Sequence, residues 1–327
     1  MAWGMRRGAP PNPAPVVDTS RTISIMGAVG AGKTVLSRTL NVAADQLRRE
    51  YPEASVAVTY RPVGNNPSVI NEFRTGTSQL QTRGVLPDST KVVDQSITFS
   101  IAGKVPAKLL DGTPTRDDWA IVKLNVEVPD VPGEAYGTVP GAGYENVPAL
   151  LARSTGIMLL YDPIRFLRRQ GEPNRSYIDR PLGEILHHAA TDAELKLAHR
   201  VAICCTKIDD PRVFELAREL DIDFRRSPWF DRGAGRTPSA AMRTFLQRIG
   251  LDAFVEATDN YFSRERSRVF FSSAVGLLRA GEDTAPHEWP RDYGNVVLTY
   301  GGPRLRSQPR PFNILEPLLW LCGTPPA

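Results

Sequence analysis

Hydrophobic and polar positions alternate along the chain in two different periods, and the places where one period gives way to the other mark out the elements. Thr22 to Met26 is a short apolar run that ends in a glycine-rich turn and reads as a buried strand. Beyond Lys33, residues Leu36, Leu40, Ala43 and Leu47 recur at helical spacing, so a helix follows the turn. Ser55 to Tyr60 reads as a second strand. Residues Arg61 to Lys91 are polar, with Gly, Pro and Thr, and predict a long loop with one helical turn. Ile97, Phe99 and Ile101 alternate with polar residues, as do Val122, Leu124, Val126 and Val128; with Asp111-Gly112 between them, they predict an antiparallel pair with one buried face. Gly156 to Tyr161 is a further buried strand, and a helix over Leu182 to His199 leads into the apolar run Val201 to Cys205. Met242, Phe245, Leu246 and Ile249 mark another helix, Val269 to Phe271 a last short strand, and Phe312 to Cys322 an apolar closing helix.

Strands alternating with helices imply an α/β fold in three layers, with a mostly parallel sheet and one antiparallel strand pair. The Pro-rich start up to Asp18 predicts an unstructured lead-in over residues 1–18, and residues 19–327 then form a single domain with insertions. The Pro- and Gly-rich stretch from Val131 to Gly143 reads as a loop within it. Apolar residues make up 41% of the 327, enough for an ordinary core. A net charge of +4 with 23% charged residues does not call for nucleic acid or an acidic membrane as partner. The three cysteines, Cys204, Cys205 and Cys322, have no disulfide-framework spacing, and the adjacent pair sits in an apolar run. No segment approaches the ~20 apolar residues of a membrane span, and the start lacks the apolar stretch of a secretory signal, so a cytoplasmic location is expected.

The glycine-rich turn carries the chemistry. Gly27-Ala28-Val29-Gly30-Ala31-Gly32-Lys33-Thr34 matches GxxxxGK[ST] between a strand and a helix. Glycines permit positive φ and bring backbone N–H groups up to phosphate oxygens, and the helix adds its positive end. Val29, Gly30, Ala31, Gly32, Lys33, Thr34 and Val35 are therefore the expected phosphate cradle. Lys33 should reach the β- and γ-phosphates, and the Thr34 hydroxyl should ligate magnesium.

Three later segments select the base in combination. Asp130 ends a strand with Gly133 three residues on, which resembles the GTPase box DxxG. Thr206-Lys207-Ile208-Asp209 closes an apolar strand and resembles [NT]KxD. Ser272-Ser273-Ala274-Val275 follows another short strand and resembles SA[KL]. All four segments come in the order of P-loop GTPases, each at a strand end, where ligands bind in open parallel sheets. The resemblance implies a P-loop NTPase with a Ras-like GTPase core from about Thr22 to Gly276, with insertions between Lys33 and Asp130 and between Asp209 and Ser273. It implies GTP or GDP with Mg2+ as ligands. Asp209 would accept from guanine N1–H and the 2-amino group, leaving a carboxylate unpaired with adenine. Lys207 would cover the base plane, Thr206 would brace the loop, and the N–H groups around Ser273, Ala274 and Val275 would meet guanine O6. Asp130 would hold magnesium through water and the Gly133 N–H would meet the γ-phosphate.

Beyond those boxes, Gly84-Val85-Leu86-Pro87-Asp88-Ser89-Thr90 and Asn313-Ile314-Leu315-Glu316-Pro317-Leu318-Leu319-Trp320-Leu321 resemble the bacterial double-GTPase family, which implies protein partners in a multi-component bacterial system. Thr75, Thr77, Thr82 and Thr90 are candidates for the switch threonine that ligates magnesium; Thr90 is the choice because it precedes the strand expected to run antiparallel into Asp130. Glu134 stands where many GTPases carry a water-orienting Gln, and Val29 where Ras-like enzymes carry glycine, so slow, partner-stimulated hydrolysis is expected. A catalytically weak nucleotide-binding scaffold and a P-loop ATPase stay open beside it. His187, His188 and His199 lie on the Leu182 to His199 helix without the spacing of a metal pair.

Overall fold

The computed structural model describes residues 21–28, 30–62, 67–87, 97–111, 118–128, 146–168, 176–189, 196–233, 238–278 and 294–323. In chain order its elements are β1 (Arg21–Gly27), α1 (Lys33–Glu50), β2 (Ala57–Pro62), α2 (Pro67–Arg83), β3 (Ile97–Pro106), α3 (Lys108–Asp111), β4 (Trp119–Val128) and α4 (Asn146–Arg153). Then come β5 (Gly156–Tyr161), α5 (Pro163–Arg168), α6 (Ser176–Ala189), β6 (Arg200–Cys205), α7 (Pro211–Glu219), β7 (Trp229–Asp231), α8 (Ala240–Arg248) and α9 (Leu251–Thr258). β8 (Ser267–Phe271), β9 (Val296–Thr299), β10 (Gly302–Leu305) and α10 (Leu315–Cys322) complete the order.

One sheet organises these elements, with strand order β2-β3-β4-β1-β5-β6-β8-β7. β4, β1, β5, β6 and β8 run parallel, which requires crossovers over the sheet faces and puts their carboxyl ends on one edge. The β3–β4 ladder is antiparallel from Ile97↔Val128 to Pro106↔Trp119, as the alternating pattern predicts; β2 on one flank and β7 on the other are also antiparallel.

Both faces of the sheet are covered, which is why β5 and β6 read as continuous apolar runs. Ile157, Leu159, Tyr161, Ile203 and Phe271 point into a core shared with α6, α8 and α9. Ile25, Met158, Leu160, Cys204 and Phe270, one residue out of phase, point into a second core with α1 and α10. Each fully buried side chain of this size contributes ~1.5–3 kcal/mol, so the three layers hold the carboxyl edge firmly. All three cysteines are free and buried in these cores. α10 closes the second core, and Arg21 at the start of β1 donates to the Gly323 carbonyl at 2.6 Å, satisfying an orphan acceptor at the helix end.

Several local expectations are corrected. The segment from Arg61 to Lys91 holds the helix α2, not a loop with one turn. Its sequence is poor in apolar residues and contains Gly76, so propensity argues against it. Tertiary packing wins: Phe73 and Leu80 are buried, Phe73 stacks edge-on with Tyr60 and Phe99, and bare Gly76 leaves room for the Arg38 guanidinium. Among the described residues the helix expected over Leu182 to His199 begins earlier and runs as α6. His199 is outside it: its ring Nε2 lies 3.1 Å from the Leu151 carbonyl, and burial lowers its pKa. Phe271 does not end the last strand, because the hairpin β9–β10 follows. Among the described residues no helix is long and apolar enough to cross a membrane.

Candidate functional site

The parallel register aligns the strand ends that carry the motifs. Gly27 is level with Leu160, Leu160 with Cys204, and Cys204 with Phe270. The phosphate loop, Asp162, the loop Thr206 to Asp209 and the loop from Ser272 to Val275 therefore leave the sheet side by side, in that order. Strands lie about 4.8 Å apart, so the loop after β6 is about 10 Å across the sheet from the phosphate loop, with the end of β5 between them. That span suits a nucleotide lying with its phosphates over β1 and its base over β6 and β8.

At the first position Gly30 and Gly32 take φ of 76° and 97°, and a Cβ on either would meet nothing within 4 Å. The glycines thus permit the turn, with open space beside them. α1 starts from left-handed Gly32 with no side-chain cap and no acidic residue in its first turn. The first turn itself carries no carboxylate to offset the helix dipole, an arrangement that favours a bound anion. The Lys33 ammonium folds back onto the Gly27 carbonyl at 2.5 Å and the Ala28 carbonyl at 3.3 Å, which holds a cation at the rim of the loop. These features fit a polyphosphate, with Thr34 one residue into the helix beside it. Val29, Thr90, Asp130, Gly133 and Glu134 lie outside the described residues.

The loop after β6 is bent sharply. Lys207 has φ 56°, an unusual left-handed conformation for a non-glycine residue. Four contacts hold it there. The Thr206 N–H and hydroxyl both donate to the Tyr161 carbonyl at 2.9 Å, the Lys207 amine donates to Asp162 at 2.7 Å, and the Asp210 N–H donates to the Lys207 carbonyl at 2.9 Å. The bend divides the labour of two adjacent acids. Asp210 caps α7 by accepting from the Arg212 N–H, with Pro211 opening the helix. Asp209 turns inward, 7% exposed, and accepts from the Ser273 hydroxyl at 2.5 Å. Burial is the largest influence on its carboxyl and raises its pKa to about 6, against the opposing bond from Ser273.

The third loop is fastened from outside the predicted motif. The Ser273 Oγ also accepts from the Gly276 N–H, so this hydroxyl ties the loop to Asp209 and to itself. Ser273 and Phe312 exchange backbone hydrogen bonds, Arg310 N–H and the Asn295 amide both donate to the Val275 carbonyl, and the Asn313 amide donates to Phe271. Val275 packs with Leu80, Leu305, Val35 and Leu86 in a small cluster of its own. That cluster joins the first turn of α1, α2 and the residues just after it, the third loop and the β9–β10 hairpin.

Thr34, Thr206, Lys207, Asp209, Ser273, Ala274 and Val275 thus all lie at the carboxyl edge, on adjacent strand ends. Motif reading missed Asp162, which fixes Lys207 and whose other carboxylate oxygen accepts from the Ile164 N–H. The available signal was an acid directly after a buried strand and before a proline. It also missed the role of Asn295, which no local pattern marks. A groove of about 1020 Å³ lies to one side: among the described residues it is lined by Ile208, Phe214 and Ser273 and by Val42 and Gln46 of α1, and by none of the phosphate loop.

No protein-family model matches the chain, and no curated protein matches it. Among solved structures it is similar to the S. cerevisiae Ski7 GTPase-like domain bound to GTP, at 11% identity and a TM-score of 0.38, over 85% of this chain and 47% of that one. It is similar to the bacterial selenocysteine-specific elongation factor EF-Sec at 15% identity and a TM-score of 0.29, over 78% and 26% of the two chains. It is also similar to sup35 complexed with GDP at 9% identity and a TM-score of 0.32, over 83% and 41%. The chain spans less than half the length of each of these structures.

Proposed function

We propose that the chain binds a guanine nucleotide with magnesium and hydrolyses GTP slowly, as a switch stimulated by a protein partner. The observation that carries this reading is the buried carboxylate of Asp209, placed on the same edge as the glycine turn that ends at Lys33. A carboxylate buried beside a serine hydroxyl is costly, as its raised pKa shows, and a ligand offering two adjacent N–H donors would offset that cost. Guanine has that donor pair at N1 and the 2-amino group; adenine does not.

In this reading Gly30, Ala31, Gly32 and Lys33 hold the β- and γ-phosphates, with Val29 and Val35 completing the cradle. Lys207, tethered by Asp162, lays its aliphatic stem over the base, and the N–H groups around Ala274 meet guanine O6. Thr34, with Thr90 and Asp130, would hold magnesium, which when bound neutralises charge on the phosphates. Glu134 in place of a water-orienting glutamine and the branched Val29 argue for slow turnover. The double-GTPase resemblance supports protein partners in a multi-component bacterial system. Titration with fluorescent GTP, GDP and ATP analogues, with and without magnesium, tests the binding reading: tight, magnesium-enhanced GTP binding and weak ATP binding are expected, and equal affinity for ATP refutes it. Single-turnover hydrolysis tests the second part, since fast turnover by the purified chain is incompatible with a stimulated switch.

A further inference from the structure

The β9–β10 hairpin departs from the sheet and exposes apolar side chains in a row. Val296 and Leu298 alternate along β9 and share one face, and Tyr300 follows in the turn to β10. Their relative exposures rise outward, 37%, 83% and 115%, and among the described residues only Ile121 joins them as an exposed large hydrophobic. Cross-strand pairing puts Leu305 beside Val296 and Pro303 beside Leu298 on that same face. Leu305 is buried in the cluster with Val35, Leu86 and Val275, so an apolar stripe runs from the candidate site out to the hairpin tip.

The two edges of the hairpin differ. β10 is already taken on its outer side, where Leu305 N–H donates to the Gly84 carbonyl at 2.7 Å and Arg304 bridges Val85. β9 pairs with β10 alone among the described residues. An edge strand of this kind, unblocked by charge or proline on the strand itself, is a template for another strand. Within the hairpin and the segment after it, from Gly294 to Ile314, the chain carries Arg304, Arg306 and Arg310 and no acid. Arg304 pairs opposite Val297 and so lies on the face away from Leu298.

We infer that the open edge of β9 is a docking site for an extended protein segment whose apolar and acidic side chains alternate. A strand added there sends successive side chains to the two faces in turn. Its apolar residues lie against Val296 and Leu298, with Tyr300 at the hairpin tip, and its acidic residues share the face of Arg304. The aliphatic side chains favour protein over nucleic acid, because Leu298 and Val296 gain nothing from phosphate and offer no stacking plane to a base.

The test pans a displayed random dodecapeptide library against the full chain and measures selected peptides by fluorescence anisotropy. The expected peptides alternate acidic with aliphatic or aromatic residues. They should lose about tenfold or more in affinity to Leu298→Glu, and a comparable amount to Arg304→Glu unless their acids are replaced by lysine. Both side chains are exposed, so the variants retain the fold. Amide exchange of β9 should slow when peptide is bound. Three results overturn the inference: no selected peptide depends on the hairpin, the selected peptides bind Leu298→Glu as well as the parent, or an oligo(dT) strand displaces them.

Discussion

Replacing Asp209 with Asn separates the cost of a functional carboxylate from its use. Burial raises this carboxyl from 3.8 to about 6, a difference of about 2 pKa units. Each unit is worth ~1.4 kcal/mol, so the ionised group costs the folded state about 3 kcal/mol at neutral pH. The sign follows from linkage: the folded state holds the proton more tightly than the unfolded chain, so stability from this group falls as pH rises from about 4 to 6 and stays low above that. The Asn side chain cannot ionise. Its amide adds a cost of its own, but that cost is the same at every pH. Asp209→Asn should therefore gain stability relative to the parent on going from acid to neutral pH, by about 2 kcal/mol between roughly pH 4.5 and 7.5. Urea titrations of both proteins without nucleotide, at those two pH values, read this directly. With nucleotide the order should invert. The variant should lose roughly a hundredfold in affinity for guanine nucleotides, since two bonds to a charged acceptor are replaced, and should gain relative affinity for xanthine nucleotides. A stability difference independent of pH would show that the carboxylate is not held ionised at a cost, and unchanged guanine affinity would remove it from the base.

The same carboxyl predicts that guanine-nucleotide affinity in the parent is flat above about pH 6 and falls with a slope approaching tenfold per pH unit below it, because the donors need the ionised form; a titration series across that range checks it. Lys33→Ala should weaken GTP binding by roughly a hundredfold or more while the urea midpoint moves little, which separates a phosphate contact from a structural one. Leu305→Ala should cost about 2–3 kcal/mol, from a cavity in the cluster with Val35, Leu86 and Val275, and should speed nucleotide release in stopped flow because the third loop loses its backing. Tyr161→Phe removes the hydroxyl that donates to the Ile249 carbonyl at 2.6 Å; it should cost about 1–2 kcal/mol and leave nucleotide affinity unchanged.

How legible these features were depends on how local their causes are. The α/β class, the strand-turn-helix around Lys33 and the antiparallel pair β3–β4 follow from side-chain periodicity and glycine placement, which act over a few residues. α2 was not legible, because its stability comes from Phe73 and Leu80 meeting residues of β2, β3 and the Val275 cluster. The short strand β7 has three residues and no period to detect; it exists because Trp229 and Asp231 find Phe270 and Arg268 on β8. At the candidate site the motif residues were legible and their supports were not. Asp162, Asn295 and Phe312 are distant in sequence from the loops they hold; Asp162 is marked only as an acid between a buried strand and a proline, and the hydrogen bonds of Asn295 and Phe312 leave no pattern along the chain.

The supports also say which loop is rigid before any ligand arrives. Lys207 in a left-handed conformation stores strain, and strain persists only where the surroundings over-determine the backbone. Thr206, Asp162 and Asp210 supply that determination on one side, and Ser273 on Asp209 supplies it on the other. Because Ser273 is itself fixed by Phe312 and Gly276, the carboxylate is oriented by a chain of contacts that ends in the C-terminal segment, beside the seat of the β9–β10 hairpin. A strand docking on β9 would pull on Leu305, Leu305 bears on Val275, and Val275 lies two residues from the serine that aims Asp209. The hairpin is therefore joined to Asp209 through the Leu305–Val275 packing and the backbone of the third loop, and the Leu305→Ala variant is the cut that would uncouple the two.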